Sequence, residues 1–369
     1  MGRFSRSFLV LFFLPLFFLP FSVSGQTSQD NQLQPRPATP ALPAPGGTSR
    51  QIILDVQVTD GSGAAVRGLQ KQDFTLLDDK QPKNILLFRA VDSGAGSTVK
   101  PTVEIVLVID AINASYETVT YEREELKKFL LQNGGKLAQP VSLVLLTQAG
   151  AKMQNGSSRN GTALAALYDQ YATGLRSAVQ ANGFYGALER FNLSIKTLTQ
   201  LVAYEGTRPG RKLMIWFSPG WPMLSGVTVE LSTKDSQQLF HSIVTTTTGL
   251  RQSRITLYSI DPLGQTDAVG NRILDYKNFL KGISSPAQAT FGNMGLQVLA
   301  VHSGGRVLNS VNDLVGAIAE CIADADSFYV LSFDGARADQ AFGEYHALGI
   351  TVDKPGTTAR TSSGYYAQP

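Results

Sequence analysis

Two hydrophobic grammars succeed one another along the chain. Ile52, Leu54, Val56 and Val58 alternate with Ile53, Asp55, Gln57 and Thr59, which predicts a strand with one face in a core. The turn signal Asp60-Gly61-Ser62-Gly63 follows, then Phe74–Leu77, the polar turn Asp78-Asp79-Lys80 and an apolar run at Ile85–Phe88. Residues 51–97 therefore read as a β-meander of short strands, a unit that is marginal alone and has to pack on something else. Ser93–Ser97 is a Gly/Ser hinge.

Past the hinge, strand and helix patterns alternate. Val103–Ile109 is a nearly continuous apolar run, as expected of a strand buried on both faces. Tyr116–Gln132 reads as a helix with Val119, Leu126, Phe129 and Leu130 on one side, ended by Asn133-Gly134-Gly135. Further strands are expected at Val141–Leu146, Leu213–Phe217 and Ile255–Ile260, with Phe328–Phe333 as the last parallel strand and Ala151–Gln154 as a short antiparallel return. Helices are expected at Thr162–Tyr171, Leu188–Tyr204, Ser236–Gly249, Met294–His302 and Leu314–Ala323. Residues 98–335 thus predict an α/β fold, a doubly wound, mostly parallel sheet with Rossmann-like layering. In the tail, residues 336–369, His346, Leu348, Ile350 and Val352 alternate, and Thr358–Tyr366 returns after the Asp353–Gly356 turn. This hairpin is expected to join the amino-terminal meander in one small β-module.

The amino terminus changes where the protein works. Arg3 and Arg6 precede the 14-residue apolar stretch Phe8–Phe21, and Val23-Ser24-Gly25 supplies small residues, so residues 1–25 read as a signal peptide. An uncleaved anchor helix would need about 20 apolar residues, and Pro15 and Pro20 interrupt this run. Residues 26–50, with Pro35, Pro37, Pro40, Pro43 and Pro45, read as an extended tether. The expectation is a protein exported to the periplasm, cell surface or medium, with no membrane span after cleavage. Losing Arg3 and Arg6 leaves 30 basic against 29 acidic residues. A near-neutral chain lacks the basic footprint that phosphate binding needs, so nucleic acid is not an expected partner. The single cysteine, Cys321, excludes an intramolecular disulfide and any cysteine-based zinc site.

Conventional catalytic motifs are missing. His241, His302 and His346 show no HxH or HExxH spacing, and a metal site built on them would depend wholly on tertiary proximity. Gly156–Gly161 lacks G-x-S-x-G spacing, Gly134-Gly135-Lys136 is no Walker loop, and no GxGxxG follows the first sheet strand. Open α/β sheets bind at the carboxyl ends of their strands, which here carry Asp110–Ser115, Ser218–Pro222 and Asp261-Pro262. Trp216 lies inside an apolar strand and is expected to pack. Trp221, between Pro219-Gly220 and Pro222, is expected to be an exposed anchor for a partner.

An apolar first strand ending in Asp, then helix, strand, short return strand and further strand–helix units, resembles the von Willebrand factor A-type domain. The succession VQVTDGSGAAVRGLQKQDFTLLDDKQPKNI, VLVIDAINAS, RKLMIWFSPGWP, LYSIDPLG, SGGRVLNSVNDLVGAIAECIADADSFYVLSF, YHALGITVD and TSSGYYA is similar to exported von Willebrand A-related proteins abundant in Acidobacteria. The resemblance implies a divalent-ion adhesion site of the pattern Asp-x-Ser-x-Ser, with a Thr from a second loop and an Asp from a third. Asp110 matches the first position, but Ile112 and Ala114 stand where the two Ser are expected. A one-residue bulge would instead present Asn113 and Ser115; Thr162 is the candidate for the Thr, and Ser218-Pro219-Gly220 lacks the third-loop carboxylate. The implied site is degenerate and at best a weak magnesium site built on Asp110, Ser115 and Thr162, with no other cofactor expected. The function expected is a non-catalytic interaction or adhesion module that binds a protein or envelope component through Asp110, Asn113, Ser115, Thr162, Ser218 and Trp221. The alternatives are an envelope hydrolase with an unrecognised site and a carbohydrate-binding or structural envelope protein.

Overall fold

The computed structural model describes residues 51–92, 103–172, 183–222, 224, 231–262, 275–309, 312–336 and 343–367. The expected leader, tether and Ser93–Ser97 hinge lie outside them. The amino-terminal strands are β1 (Gln51–Asp60), β2 (Phe74–Asp78), β3 (Gln81–Lys83) and β4 (Leu87–Asp92). The α/β region runs β5 (Val103–Asp110), α1 (Tyr116–Gly135), β6 (Lys136–Thr147), β7 (Gly150–Met153), β8 (Ser158–Asn160), α2 (Gly161–Ala172), α3 (Gly183–Gly206), β9 (Arg211–Phe217), α4 (Thr233–Gln252), β10 (Ile255–Ile260), α5 (Leu296–His302), β11 (Val307–Leu308) and α6 (Leu314–Ala323). The chain closes with β12 (Ser327–Asp334), β13 (Tyr345–Val352), β14 (Thr357–Arg360) and β15 (Gly364–Tyr366). No helix of the described residues is long and apolar enough to cross a membrane.

The fold is mixed α/β, with a central, mostly parallel sheet and two antiparallel sheets. The central order is β11-β10-β9-β5-β6-β7, with β8 also on β6. Its neighbours are parallel from β11 to β6, while β7 and β8 run antiparallel to β6. The order reverses between β5 and β9, so the ends of these two strands flank the switch-point crevice. One sheet face is covered by Phe191 and Leu198 of α3, Phe240 and Ile243 of α4 and Leu299 of α5. The other is covered by Leu126 and Leu130 of α1, Leu164 of α2 and Ile318 and Cys321 of α6. Helices begin where the sequence supplies a cap: Ser115, Ser232 and Asp313 each accept a backbone N–H from the first turn of α1, α4 and α6.

The flanking strands depart from the sequence expectation. Phe328–Phe333 is not a last parallel strand: β12 pairs antiparallel with both β1 and β4. The pattern misleads because β12 is buried on both faces, with Phe328 and Val330 in the α/β core and Tyr329, Leu331 and Phe333 in a separate core. Nor do the first strands form a meander, since β1 pairs with β12 and β14 while β2 pairs with β3 and β13. The expected tail hairpin is likewise divided, with β13 joined to β2 and β15 and β14 joined to β1. Two four-stranded sheets result, β14-β1-β12-β4 and β15-β13-β2-β3. They share a core of Leu54, Val56, Phe74, Leu76, Leu331, Phe333 and Tyr365.

Charged side chains join this sandwich to the central sheet. Arg254 donates to Asp55 of β1 through Nη2 at 2.5 Å and Nε at 3.2 Å. Asp324, just past α6, accepts from Tyr258 of β10 at 2.5 Å, from Arg306 at 3.3 Å and from Arg360 of β14. Its backbone carbonyl accepts from Gln57 of β1 and from Arg211 of β9, the latter at 2.9 Å. Arg211 is 2% exposed and lies over the Phe328 ring at 4.5 Å. Asp55→Ala strands Arg254 and Arg211 without that carboxylate, and breaking a buried pair costs about 3–5 kcal/mol. The urea midpoint of Asp55→Ala is therefore expected to fall steeply; an unchanged midpoint would show that these charges do not hold the layers together.

Candidate functional site

Asp110 ends β5 at the switch point and is completely buried. The backbone turns sharply after it, and its Oδ1 accepts the N–H groups of Ile112 at 3.2 Å and Asn113 at 3.1 Å. Oδ2 accepts Asn113 Nδ2 at 2.9 Å and the Trp216 indole N–H at 3.0 Å, and the Ser218 hydroxyl also reaches the carboxylate. Burial raises the Asp110 pKa, and the hydrogen bonds from Asn113 and Trp216 oppose that shift. Asn113 Nδ2 also donates to Ser194 of α3 at 2.9 Å, so the loop is fastened across the sheet to a helix.

The expected site residues do not assemble into one centre. Asp110, Asn113 and Ser218 are together, but Asp110 and Ser218 are fully buried and offer no surface to a partner. Ser115 is spent on the α1 cap, its Oγ accepting Thr118 N–H at 3.1 Å. Thr162 is a correction: it opens α2 beside Gly135 and follows Asn160, which pairs with Lys136 at the start of β6. Asp110 pairs with Leu146 near the far end of that strand. At about 3.3 Å per residue, roughly 30 Å separates them. A second correction concerns Trp221, which is 2% exposed and packs edge-to-face on Trp216 with ring centroids 5.0 Å apart. Pro219 and Pro222 turn the chain so that the indole folds back into the core instead of projecting from it.

These positions do not fit a divalent ion. The Asp110 oxygens already face N–H donors, Ile112 and Ala114 are buried apolar groups, and Thr162 lies at the other end of the sheet. A hard cation needs several free oxygens converging on one point, and this arrangement does not supply them. The pattern missed Glu122. It is fully buried on α1, and neither carboxyl oxygen has a hydrogen-bond partner among the described residues. Burial, and then the negative charges of Asp110 and Asp261, push its pKa well above the ordinary carboxylate range. Its place three residues after Val119 and four before Leu126 put it within the apolar stripe, which is the signal that marks it. Tyr168 of α2 adds a buried hydroxyl without a partner among the described residues, its pKa raised by burial and then by Glu122. Among the described residues, Asp110, Glu122 and Tyr168 thus form a cluster of buried ionisable groups that act on one another electrostatically.

No protein-family model matches the chain, and no curated protein matches it. Among solved structures it is similar to an aerotolerance-related membrane protein from Bacteroides fragilis, at 13% identity and TM-score 0.34, over 60% of this chain and 98% of that one. It is also similar to the open conformation of the pilus adhesin SpaC from Lactobacillus rhamnosus GG, at 12% identity and TM-score 0.40, over 85% of this chain and 47% of that one. A mutant of the PilB minor pilin from Streptococcus sanguinis gives 13% identity and TM-score 0.35, over 74% and 77%. This chain thus spans about half the length of SpaC. Likenesses at these scores carry no argument.

Two measurements test the site. Trp221→Ala is expected to lose about 3–5 kcal/mol of stability, the ordinary cost of emptying a buried aromatic site; an undiminished denaturation midpoint would return Trp221 to the surface. Glu122 gives a pH signature. Above the ordinary glutamate pKa of 4.5 the unfolded chain ionises while the folded Glu122 keeps its proton. Folding then weakens by about 1.4 kcal/mol per pH unit until the folded pKa is passed. The fall in stability from acid to neutral pH is therefore expected to be shallower in Glu122→Gln than in the wild type, and equal slopes would remove Glu122 from the cluster.

Proposed function

We propose that this protein is an exported, non-catalytic interaction module of the von Willebrand A type, which engages a protein or envelope partner without a metal ion at Asp110. The observation that carries this reading is the combination of sheet order and chemistry at the switch point. The β11-β10-β9-β5-β6-β7 order, with β7 antiparallel at the edge and Asp110 at the end of the first central strand, supports this reading. The Asp110 carboxylate accepts from Ile112, Asn113 and Trp216, which leaves it poorly placed to complete a divalent-ion shell. What this end offers a partner is the rim of the β5–α1 loop. Asn113 and Ser115 are half-buried there, and Tyr116 follows them with 61% exposure. An exposed aromatic on a loop braced by a helix cap is the kind of group that becomes an interface anchor.

Pull-down from envelope and culture fractions tests the reading. Capture is expected to survive a chelator and to weaken at least about tenfold in Tyr116→Ala, which removes contact area without touching the core. The melting temperature of Tyr116→Ala should stay at the wild-type value. Capture abolished by chelator, or unaltered by Tyr116→Ala, would reject this face and the metal-free mode.

A further inference from the structure

A second constellation lies in the sheet β15-β13-β2-β3, apart from Asp110. The β2–β3 turn runs through Asp79 and Lys80, both in the left-handed region with φ of 48° and 67°. Two successive positive φ values are the signature of the tight hairpin turn, and Asp is among the residues that tolerate them. The turn is hooked onto β13 in both directions. Asp79 N–H donates to the Ala347 carbonyl at 2.8 Å, and Ala347 N–H donates to Asp79 Oδ1 at 2.8 Å. On the neighbouring strand His346 pairs with Tyr365 of β15, and the two rings stack at 5.1 Å and 17°. Tyr365 OH donates to Asp78 Oδ2 at 2.9 Å, and Lys83 Nζ lies 3.3 Å from the same oxygen.

One oxygen of each carboxylate is thus held from behind. The other two converge on a single nitrogen: His346 Nδ1 is 3.0 Å from Asp78 Oδ1 and 2.9 Å from Asp79 Oδ2. A ring nitrogen carries at most one proton, so one hydrogen bond cannot satisfy both oxygens. On the far side of the ring, Nε2 is buried without a hydrogen-bond partner among the described residues, 3.6 Å from Glu344 Oε1. The Asp78 side chain is 2% exposed and that of His346 12%, whereas Asp79, at 51%, opens the cluster to solvent.

We propose that Asp78, Asp79 and His346 bind a first-row divalent transition ion, with Zn²⁺ as the representative. Imidazole with carboxylates suits this class, whereas Mg²⁺ and Ca²⁺ take oxygen ligands. The Nδ1–O separations are close to the edges of a coordination shell with bonds near 2.1 Å, about 3.0 Å in an octahedron and about 3.4 Å in a tetrahedron. The outer contacts are those of a metal centre: Tyr365 OH and Lys83 orient Asp78, and Ala347 N–H orients Asp79. Glu344, whose Oε1 lies 3.6 Å from Nε2, takes the proton-bearing Nε2 once Nδ1 binds the ion. Because Asp78 and His346 are 268 residues apart in sequence, the ion would clasp the two ends of the folded chain.

Untagged protein, freed of metal by chelator dialysis, is titrated with ZnCl₂ by calorimetry and melted with and without it. The expected result is one saturable equivalent and a raised melting temperature. At a hundredfold excess over Kd the folded-to-unfolded ratio should rise about 100-fold. MgCl₂ at the same concentration is expected to give neither effect. Asp79→Asn keeps the Ala347 contact and tolerates the left-handed backbone, so it should fold; it is expected to weaken Zn²⁺ binding at least about tenfold, and His346→Gln to abolish it. Absence of saturable uptake by the wild type would make the cluster a histidine hydrogen-bonded between two carboxylates and overturn the proposal. Uptake undiminished in Asp79→Asn would overturn it equally.

Discussion

A guanidinium removed from water needs a carboxylate beside it, and here that requirement fixes how the two layers of the fold meet. Arg211 and Arg254 stand at the entry to β9 and β10, where the parallel sheet would otherwise present its strand beginnings to solvent. Asp55 of β1 and Asp324 after α6 bring the counter-charges, and Arg360 of β14 and Tyr258 of β10 complete the arrangement. Such pairs add little net stability against a well-packed apolar alternative, because desolvation offsets most of the Coulomb attraction. Their leverage is on geometry. Any shift of β1 or β14 along the sheet would leave a buried charge alone, so the sandwich is held to one placement on the amino ends of β9 and β10.

With the beginnings of those strands closed by the sandwich, the carboxyl ends are left to other uses. Their chemistry is inward-looking. Asp110 organises the β5–α1 loop by accepting from its own following backbone, and it reaches across to Trp216, so the loop conformation and the aromatic core under it are set together. Gly220 comes so close to Gln297 that a side chain there would collide with it, and Gln297 in turn donates to the Pro219 carbonyl at 3.2 Å. Trp221 lies inward behind this closure, and among the described residues of the β5–α1 region Tyr116 is exposed.

Much of this architecture was legible because each strand and helix of the central layer carries a clean period. Gln132, Asn133 and Gly134 depart from helical geometry where the Asn-Gly-Gly sequence marks the end of α1. The errors share one physical cause, which is that local pattern does not encode which surface covers a segment. β12 reads like a parallel core strand because it is buried from both sides, although its partners are antiparallel. Trp221 reads as exposed from its prolines, yet their turn directs the ring onto Trp216. Thr162 was matched by loop order along the chain, and loop order does not say at which end of a sheet a residue falls. Glu122 was readable from its position among apolar residues at helical spacing, whereas Asp78 and His346 meet only through the pairing of β2 with β13.

That pairing gives the sandwich a different character from the central sheet. Within the α/β layer β5 pairs with β6, the next strand in the chain, and β9 with β10, but β1 with β12 and β2 with β13 join the chain's ends, and such contacts form only after a long loop has been closed. Burial in the shared core of Leu54, Phe74, Leu331 and Tyr365 has to compensate for that entropy. Side chains that reach across the late-forming pairs then matter more than their number suggests. Tyr365 is such a residue: it packs on Phe333, stacks on His346, donates to Asp78 and accepts from Ala336 N–H. One phenol ring thereby ties the last strand to β12, β13 and β2 at once. The sandwich is held to the central sheet by charge and closed on itself by aromatic packing, so loss of either should release the chain ends before the α/β layer loosens.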